Sequence, residues 1–417
     1  MTQLPRIVIV GAGFAGINAV KTLARCQAQV CLIDCNPYHS FIPLLYQVAT
    51  GQLHPEQIGY PLGQLAQQYK NLEYRRGRVQ GIDLDQKIVE LERDAIAYDY
   101  LILATGAQAQ FLGVSGAENH TFPLKTLEDA IALQQQILGC FTEAALTRNT
   151  EHSQHQLSFI IVGGGTTGVE MAGAIADLTE NINKKFNTRL SPRIFLIHSQ
   201  GQLLGEFSSE LGEYTCKKLR RLGVKVHLDT KVQRVEDQQV HLDDGTILEG
   251  ATIIWTAGVE ANIPDLNHDF DTSLKGKIQV EPTLQIPGYP HAYAVGDLAY
   301  FEQGNRPLPG VAPTALQQGQ TAAANIKRHL QGQAPQAFHY EDKGRAAIIS
   351  RKIGLVQAPN LTLKGWVGWL LWLGIHWCYL PGWRNRLSVL QAWLRHTVFY
   401  RPAVLPRLKT ISTEVKE

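Results

Sequence analysis

Arg6-Ile7-Val8-Ile9-Val10-Gly11-Ala12-Gly13-Phe14-Ala15-Gly16-Ile17 opens a segment that runs to Asp34 and has the pattern of a β-α-β unit. Ile7 to Val10 is a short, β-branched apolar run, which reads as a buried parallel strand. A glycine-rich turn follows, then a helix from Ile17, then a second strand, Ala28 to Ile33, that stops at an acid. In that setting each residue has a physical task. Gly11 makes the tight turn, Gly13 lets a pyrophosphate approach the helix N-terminus, and Gly16 permits close helix–strand packing. Asp34 is placed to bind a ribose hydroxyl.

The same pattern returns 152 residues later, with Gly163 standing where Gly11 stood. Leu157 to Val162 is the strand, Gly163-Gly164-Gly165-Thr166-Thr167-Gly168 the turn, Val169 to Leu178 the start of the helix, and Arg193 to Ile197 the second strand. Two such units in one chain predict two dinucleotides, most naturally a flavin and a nicotinamide with their reactive rings brought together. The first unit would hold FAD permanently, because Gly296-Asp297, after the buried run Ala294-Val295, suits its ribityl and phosphate portion. The second would exchange the nicotinamide nucleotide.

A length of 417 residues predicts two or three domains, and 44% apolar with 18% charged residues describes a globular chain without disordered bulk. Cys26, Cys31, Cys35, Cys140, Cys216 and Cys378 form no CxxC pair, so neither a disulfide framework, a zinc site nor any other metal is expected. No signal peptide is expected ahead of a strand that starts by Arg6. Between these landmarks, Asn36 to Gly51 reads as an apolar loop, Thr126 to Leu146 as a helix and Arg148 to Gln156 as a polar loop. Asp243-Asp244-Gly245 reads as a hairpin turn.

The net charge of +2 conceals an asymmetry: residues 343–413 hold eleven basic residues and no acid, leaving −9 for the rest. Six of the seven tryptophans, Trp366, Trp369, Trp372, Trp377, Trp383 and Trp393, fall in that segment. Trp366, Trp369, Leu373 and Trp377 share one helical stripe, Leu387, Leu390, Leu394 and Val398 another, and Pro381-Gly382 separates them. The apolar run from Trp366 to Leu380 has 15 residues, against the roughly 20 needed to span a bilayer. With Lys364, Arg384, Arg386, Arg395 and Arg401 nearby, this predicts helices lying on an anionic membrane surface. A homodimer interface is the alternative use of the same stripes. No nucleic-acid partner is expected.

Taken together, Gly11 to Gly16, Phe41-Ile42-Pro43-Leu44-Leu45-Tyr46-Gln47-Val48-Ala49-Thr50-Gly51, Ala104-Thr105-Gly106, Gly163 to Glu170 and Ala294-Val295-Gly296-Asp297 resemble the type II NADH dehydrogenases. These are single-chain, non-proton-pumping NAD(P)H:quinone oxidoreductases, and the likeness runs from Arg6 to about Leu405. It implies an α/β fold of two Rossmann-type dinucleotide-binding domains, disulfide-reductase-like, plus a C-terminal amphipathic helical membrane-attachment region. The corresponding segments are 1–125 and 266–340 for FAD, 126–265 for NAD(P)H and 341–417 for attachment. The enzyme would lie on the cytoplasmic side as a monotopic protein. The resemblance further implies flavin contacts at Gly11, Gly13, Gly16, Asp34, Val79, Thr105, Gly106 and Asp297, and nucleotide contacts at Gly163, Gly165, Gly168 and Glu170. It places Glu170 between the nicotinamide and quinone sides of the flavin, where a carboxyl can relay a proton; Gln317 and Lys343 fall near the quinone.

Two departures qualify this. The acid that binds the nicotinamide-side ribose is replaced by His198, which removes repulsion against a 2′-phosphate and leaves NADH and NADPH both admissible as electron donor. The quinone-site pattern Ala-Gln-x-Ala-x-Gln has Pro313 for its first glutamine and keeps Gln317 as its second. Reduction of a demethylated naphthoquinone precursor in quinone biosynthesis, and a slow-turnover flavin redox sensor, are therefore alternative readings. Disulfide reductases of this fold carry Cys-x4-Cys where this chain has Phe41 to Tyr46.

Overall fold

The computed structural model describes residues 4–147, 149–267, 276–399 and 403–404. In chain order the elements that position the sites begin with β1 (Arg6–Val10), α1 (Phe14–Leu23), β2 (Gln29–Asp34), α2 (Leu45–Ala49), β3 (Leu72–Arg76), β4 (Tyr100–Leu103) and α3 (Leu127–Leu146). There follow β5 (Ser158–Val162), α4 (Thr166–Phe186), β6 (Arg193–Ile197), β7 (Val224–His227), β8 (Thr252–Trp255) and β9 (Tyr289–Ala294). The last are α5 (Ala312–Leu330), β10 (Arg345–Ser350), β11 (Ile353–Ala358), β12 (Leu361–Gly365), α6 (Trp366–Tyr379) and α7 (Trp383–Phe399). Two compact units result: Met1–Ser40 with Tyr60–Gln108 and Val259–Lys343, and Phe41–Gly59 with Ala109–Gly258 and Gly344–Glu417.

The first unit is built on a sheet ordered Gln285–Ile286, β9, β4, β1, β2, β3, parallel apart from the first short strand. Side chains alternate along β1. Ile7 and Ile9 face a core shared with Ile17, Val20 and Leu23 of α1 and Ala322, Ala323 and Ile326 of α5. Val8 and Val10 face the opposite core, which takes Ile82, Val89 and Ile96 from an antiparallel sheet. Both faces are covered, which is why the strand reads as continuously apolar. The helices α1 and α5 approach closely: a Cβ on Gly319 would stand 2.1 Å from the Ala15 carbonyl oxygen.

The second unit repeats the design with a parallel sheet ordered Phe122–Pro123, β8, β5, β6, β7. Its small companion sheet includes the hairpin at Asp243-Asp244-Gly245, where Gly245 has φ +84°. The helix α3 begins at its Thr126 cap, whose hydroxyl accepts the Asp129 N–H. Two stretches read as loops are helical. Thr150–Gln156 winds because the Asn149 side chain accepts the N–H groups of Glu151 and His152, capping it. Ile42–Leu44 is a 3₁₀ turn leading into α2, all five of whose residues are buried.

Strands β10, β11 and β12 form an antiparallel sheet, and α6 follows directly. The Arg386 guanidinium donates to the Cys378 and Leu380 carbonyls, closing the C-terminal end of α6 so that α7 can turn back beside it. The inner face of α7 is tied to the segment that holds α2: Asn385 Nδ2 donates to the carbonyls of Glu56, Gln57 and Gly59, Gln57 Nε2 donates to the Ser388 hydroxyl, and Trp393 Nε1 donates to Gln47 Oε1 at 2.8 Å. Among the described residues no helix is long and apolar enough to cross a membrane.

Candidate functional site

The turn after β1 has the geometry its glycines predict. Gly11 takes φ +102°, and a Cβ there would lie 2.3 Å from the Ala104 carbonyl oxygen. A Cβ on Gly16 would lie 1.9 Å from the Gly11 carbonyl oxygen. Only contact at the 4.0 Å limit faces a Cβ on Gly13, the residue preceding α1. Space is thus kept open at a helix N-terminus with no side-chain cap, where backbone N–H groups favour an anion. At the end of β2, Asp34 Oδ2 accepts the Ala12 N–H at 2.6 Å and Oδ1 accepts the Asn36 N–H at 2.8 Å. Each oxygen keeps acceptor capacity for a hydroxyl; burial raises the pKa of this carboxyl, opposed by those two bonds.

His39 was not evident in the sequence as a site residue. Its buried Nδ1–H donates to the Ala12 carbonyl at 2.7 Å, fixing the turn from the other side, and burial pushes its pKa down to about 4, so it stays neutral. Thr105 Oγ1 donates to the Asn262 carbonyl at 2.6 Å, the Asn262 N–H bonds the Gly106 carbonyl, and Val79 lies part-buried in a neighbouring strand. Gly296, at φ +76°, opens the turn carrying Asp297, and its N–H is held by Gln318 Oε1 at 2.7 Å. Gln318, 1% exposed, is thus a second residue missed by sequence reasoning, which selected its neighbour. The Gln317 amide bonds both the N–H and the carbonyl of Glu341, two residues before the exposed Lys343.

The second turn repeats the first. Gly163 has φ +115°, a Cβ on Gly168 would stand 1.9 Å from the Gly163 carbonyl oxygen, and nothing lies within 4 Å of a Cβ on Gly165. His198 takes the structural place of Asp34: its Nδ1 accepts the Gly164 N–H at 3.1 Å. Burial lowers its pKa, so a neutral imidazole stands where an acid is usual.

Glu170 lies in the second turn of α4, beyond the stretch where the helix dipole would account for it. It is 8% exposed, and Oε1 accepts the Ile348 N–H at 3.1 Å. Ile348 can offer that N–H because the β10–β11 register shifts between Ile348 and Ser350. One turn on, Gly173 meets β10 so closely that a Cβ would fall 1.5 Å from the Ile349 carbonyl oxygen. A further turn on, Asp177 Oδ2 accepts the Arg351 N–H at 2.7 Å. Burial pushes Glu170 up to about 8 and Asp177 up to about 7; for Asp177, Arg351 opposes the shift. Two protonatable carboxyls thus face one strand, which sequence spacing alone did not single out.

The outer faces of α6 and α7 carry exposed Trp366, Leu370, Trp377, Trp383, Leu387, Leu390 and Leu394, with Trp383 70% exposed. Trp372 points inward from α6, which is therefore apolar on both faces, and Trp393 points inward from α7. Trp369 and Leu373, assigned to the outer stripe from sequence, are only part-exposed. The Val398 side chain and Arg401 lie outside the described residues. Lys364, on β12, is bonded to Glu210 at 2.7 Å, and the exposed cations of α7 are Arg384 and Arg395.

Two nucleotide turns of matched geometry in one chain define a pyridine-nucleotide oxidoreductase of the two-dinucleotide flavoprotein class, and the pyridine nucleotide-disulphide oxidoreductase family matches residues 5–319. Type II NADH:quinone oxidoreductase Ndh of Mycobacterium tuberculosis is 34% identical, covering 93% of this chain and 87% of that one. The type II NADH:quinone oxidoreductase of Staphylococcus aureus (strain bovine RF122 / ET3-1) is 28% identical over 86% and 91%. In fold the chain is similar to NDH2 of Plasmodium falciparum in complex with NADH, with a TM-score of 0.88 at 18% identity, covering 96% of this chain and 100% of that one. The chain belongs to the type II NADH:quinone oxidoreductases.

Proposed function

We propose that this protein is an FAD-dependent NADH:quinone oxidoreductase working at a membrane surface without pumping protons. The observation that carries the reading is the duplicated turn, each with a glycine Cβ position 1.9 Å from the first glycine's carbonyl and open space before the helix. Membership of the type II family supplies the reaction: NADH, a proton and a quinone become NAD⁺ and a quinol. When bound, FAD supplies the two-electron step between nicotinamide and quinone.

The chain's own residues do the rest. Gly13 and the N-terminus of α1 take the FAD pyrophosphate, Asp34 a ribose, and Gly296-Asp297, held by Gln318, the ribityl-phosphate side. Gly165 and the N-terminus of α4 take the NADH pyrophosphate. Glu170, largely protonated at neutral pH, holds a proton for the quinone and regains it afterwards. Gln317 and Lys343 orient the quinone headgroup.

The exposed tryptophans and leucines of α6 and α7 bury themselves in the headgroup layer, with Arg384 and Arg395 on anionic lipid and the enzyme facing the cytoplasm. Steady-state NADH oxidation in liposomes, with ubiquinone, menaquinone and demethylated analogues compared, tests this. Turnover with at least one fully substituted quinone supports the respiratory reading. Turnover confined to demethylated naphthoquinones establishes the biosynthetic one, and NADH oxidation with none of them refutes both.

A further inference from the structure

Between α4, α2, the end of β10, α6 and α7 lies a small cavity of about 30 Å³, with room for roughly two waters. Its wall is mixed: Tyr46, Gln47, Asp177, Arg351 and His396 stand among apolar side chains such as Ile348, Trp369 and Leu373. Its polar groups offer a water the two to four hydrogen-bonding partners that hold one in place. Trp369, Leu373 and Thr397, also in the wall, are part-exposed, so the cavity reaches the surface beside α6 and α7.

Three features make it a route and not a mere void. Asp177 opens into it from α4 on the same face as Glu170, seven residues on, which is about 10 Å along the helix. Tyr46, also in the wall, carries a hydroxyl within electrostatic reach of both carboxyls. Gln47 Oε1 is taken by Trp393, so its Nε2 donates to the Tyr46 oxygen at 2.8 Å, and that oxygen's own proton is left to donate. At the α7 side, His396 Nε2 lies 2.9 Å from the Asn181 side-chain amide, and burial pushes its pKa down to about 4, so the ring is neutral.

We propose that this cavity is the proton intake for quinone reduction, with Asp177 taking a proton from water at the surface and passing it through cavity water and the Tyr46 hydroxyl to Glu170. One proton is drawn from the medium for each NADH oxidised, no other reactant is needed, and Asp177 ends each cycle as it began. The proposal rests on the proton-relay reading of Glu170. The groups facing Asp177 are Arg351 after β10, Glu180 on its own helix, His396 on α7 and Tyr46 on α2; from α6 come only Trp369 and Leu373. Burial, opposed by Arg351, sets Asp177 near neutrality, where it both takes and gives a proton.

The test uses the FAD-loaded full chain in liposomes, following the flavin by stopped flow as NADH reduces it and as quinone reoxidises it. Asp177→Asn keeps an acceptor for the Arg351 N–H. It is expected to leave reduction by NADH within twofold of wild type while slowing reoxidation at pH 8 by tenfold or more. Formate or azide, small acids able to enter the cavity, should restore that rate in Asp177→Asn and leave the wild type unchanged. Ala174→Leu fills the cavity without touching a titratable group and should slow reoxidation alone. Reoxidation within twofold of wild type in Asp177→Asn overturns the proposal, as does slowing that small acids do not relieve, or an unaffected Ala174→Leu protein. Glu170→Gln, measured in parallel, separates the two ideas: normal reoxidation there refutes the relay itself, whatever Asp177→Asn does.

Discussion

Replacing Glu170 by Gln changes a single oxygen for an amide nitrogen and keeps the acceptor for the Ile348 N–H, so its effect isolates ionisation. The carboxyl has a pKa raised to about 8 in the folded protein, against 4.5 ordinarily. The folded state therefore binds more protons than the unfolded state between those values. Stability from this group is full below about pH 4.5 and is lost as pH rises to about 8. The gap corresponds to about 4–5 kcal/mol as an upper bound. Glu170→Gln removes that dependence, so the variant should gain on wild type by several degrees in Tm between pH 6 and pH 9 and match it near pH 4.5. Thermal unfolding of the FAD-loaded protein across that range is the assay. Activity should move the other way. With its pKa raised to about 8, Glu170 largely keeps its proton at pH 7, and losing that donor should lower quinone turnover by about 10²-fold. Parallel stability curves for wild type and variant would show that Glu170 is ionised in the folded state at neutral pH and holds no proton for the quinone.

Three further outcomes follow from the same geometry. His198→Glu should keep the acceptor for the Gly164 N–H and add a charge against a 2′-phosphate, lowering kcat/KM for NADPH relative to NADH by tenfold or more; an unchanged ratio would show that this position does not face the ribose. Gly168→Ala should abolish NADH binding, measured by equilibrium titration, because its Cβ would overlap the Gly163 carbonyl at 1.9 Å, while FAD content remains that of wild type. The double change Trp366→Glu and Trp383→Glu removes two exposed rings and should release the protein from anionic liposomes in flotation, with NADH-driven flavin reduction intact.

The parts legible in the sequence are those whose physics is local. The two glycine turns declare themselves because Gly11, Gly16, Gly163 and Gly168 each answer a clash within a few residues or with the adjacent strand. The helix break at Pro381-Gly382 and the Asp243 hairpin are local in the same sense. What stayed hidden depends on segments far apart in the chain. Nothing near Asp177 foretells that Arg351, 174 residues away, offers it an N–H. The helical packing of Leu45–Ala49 depends on α7, whose Trp393 reaches Gln47 across 346 residues. Gln318 was passed over for Gln317 because family pattern singles out the latter, whereas burial and the Gly296 bond distinguish the former. The basic tail illustrates the same limit: its charge was correctly counted, but Lys364 and Arg386 turn out to serve the protein's own acid and helix end.

Electrons passing from NADH through one bound flavin to a quinone leave their mark on the flavin absorbance band, followed anaerobically on the FAD-loaded protein in liposomes. A stoichiometric addition of NADH should bleach the band, and one equivalent of membrane quinone should restore it within the turnover time. A band that NADH leaves unbleached, or that quinone leaves bleached, would show that the flavin does not carry electrons between them.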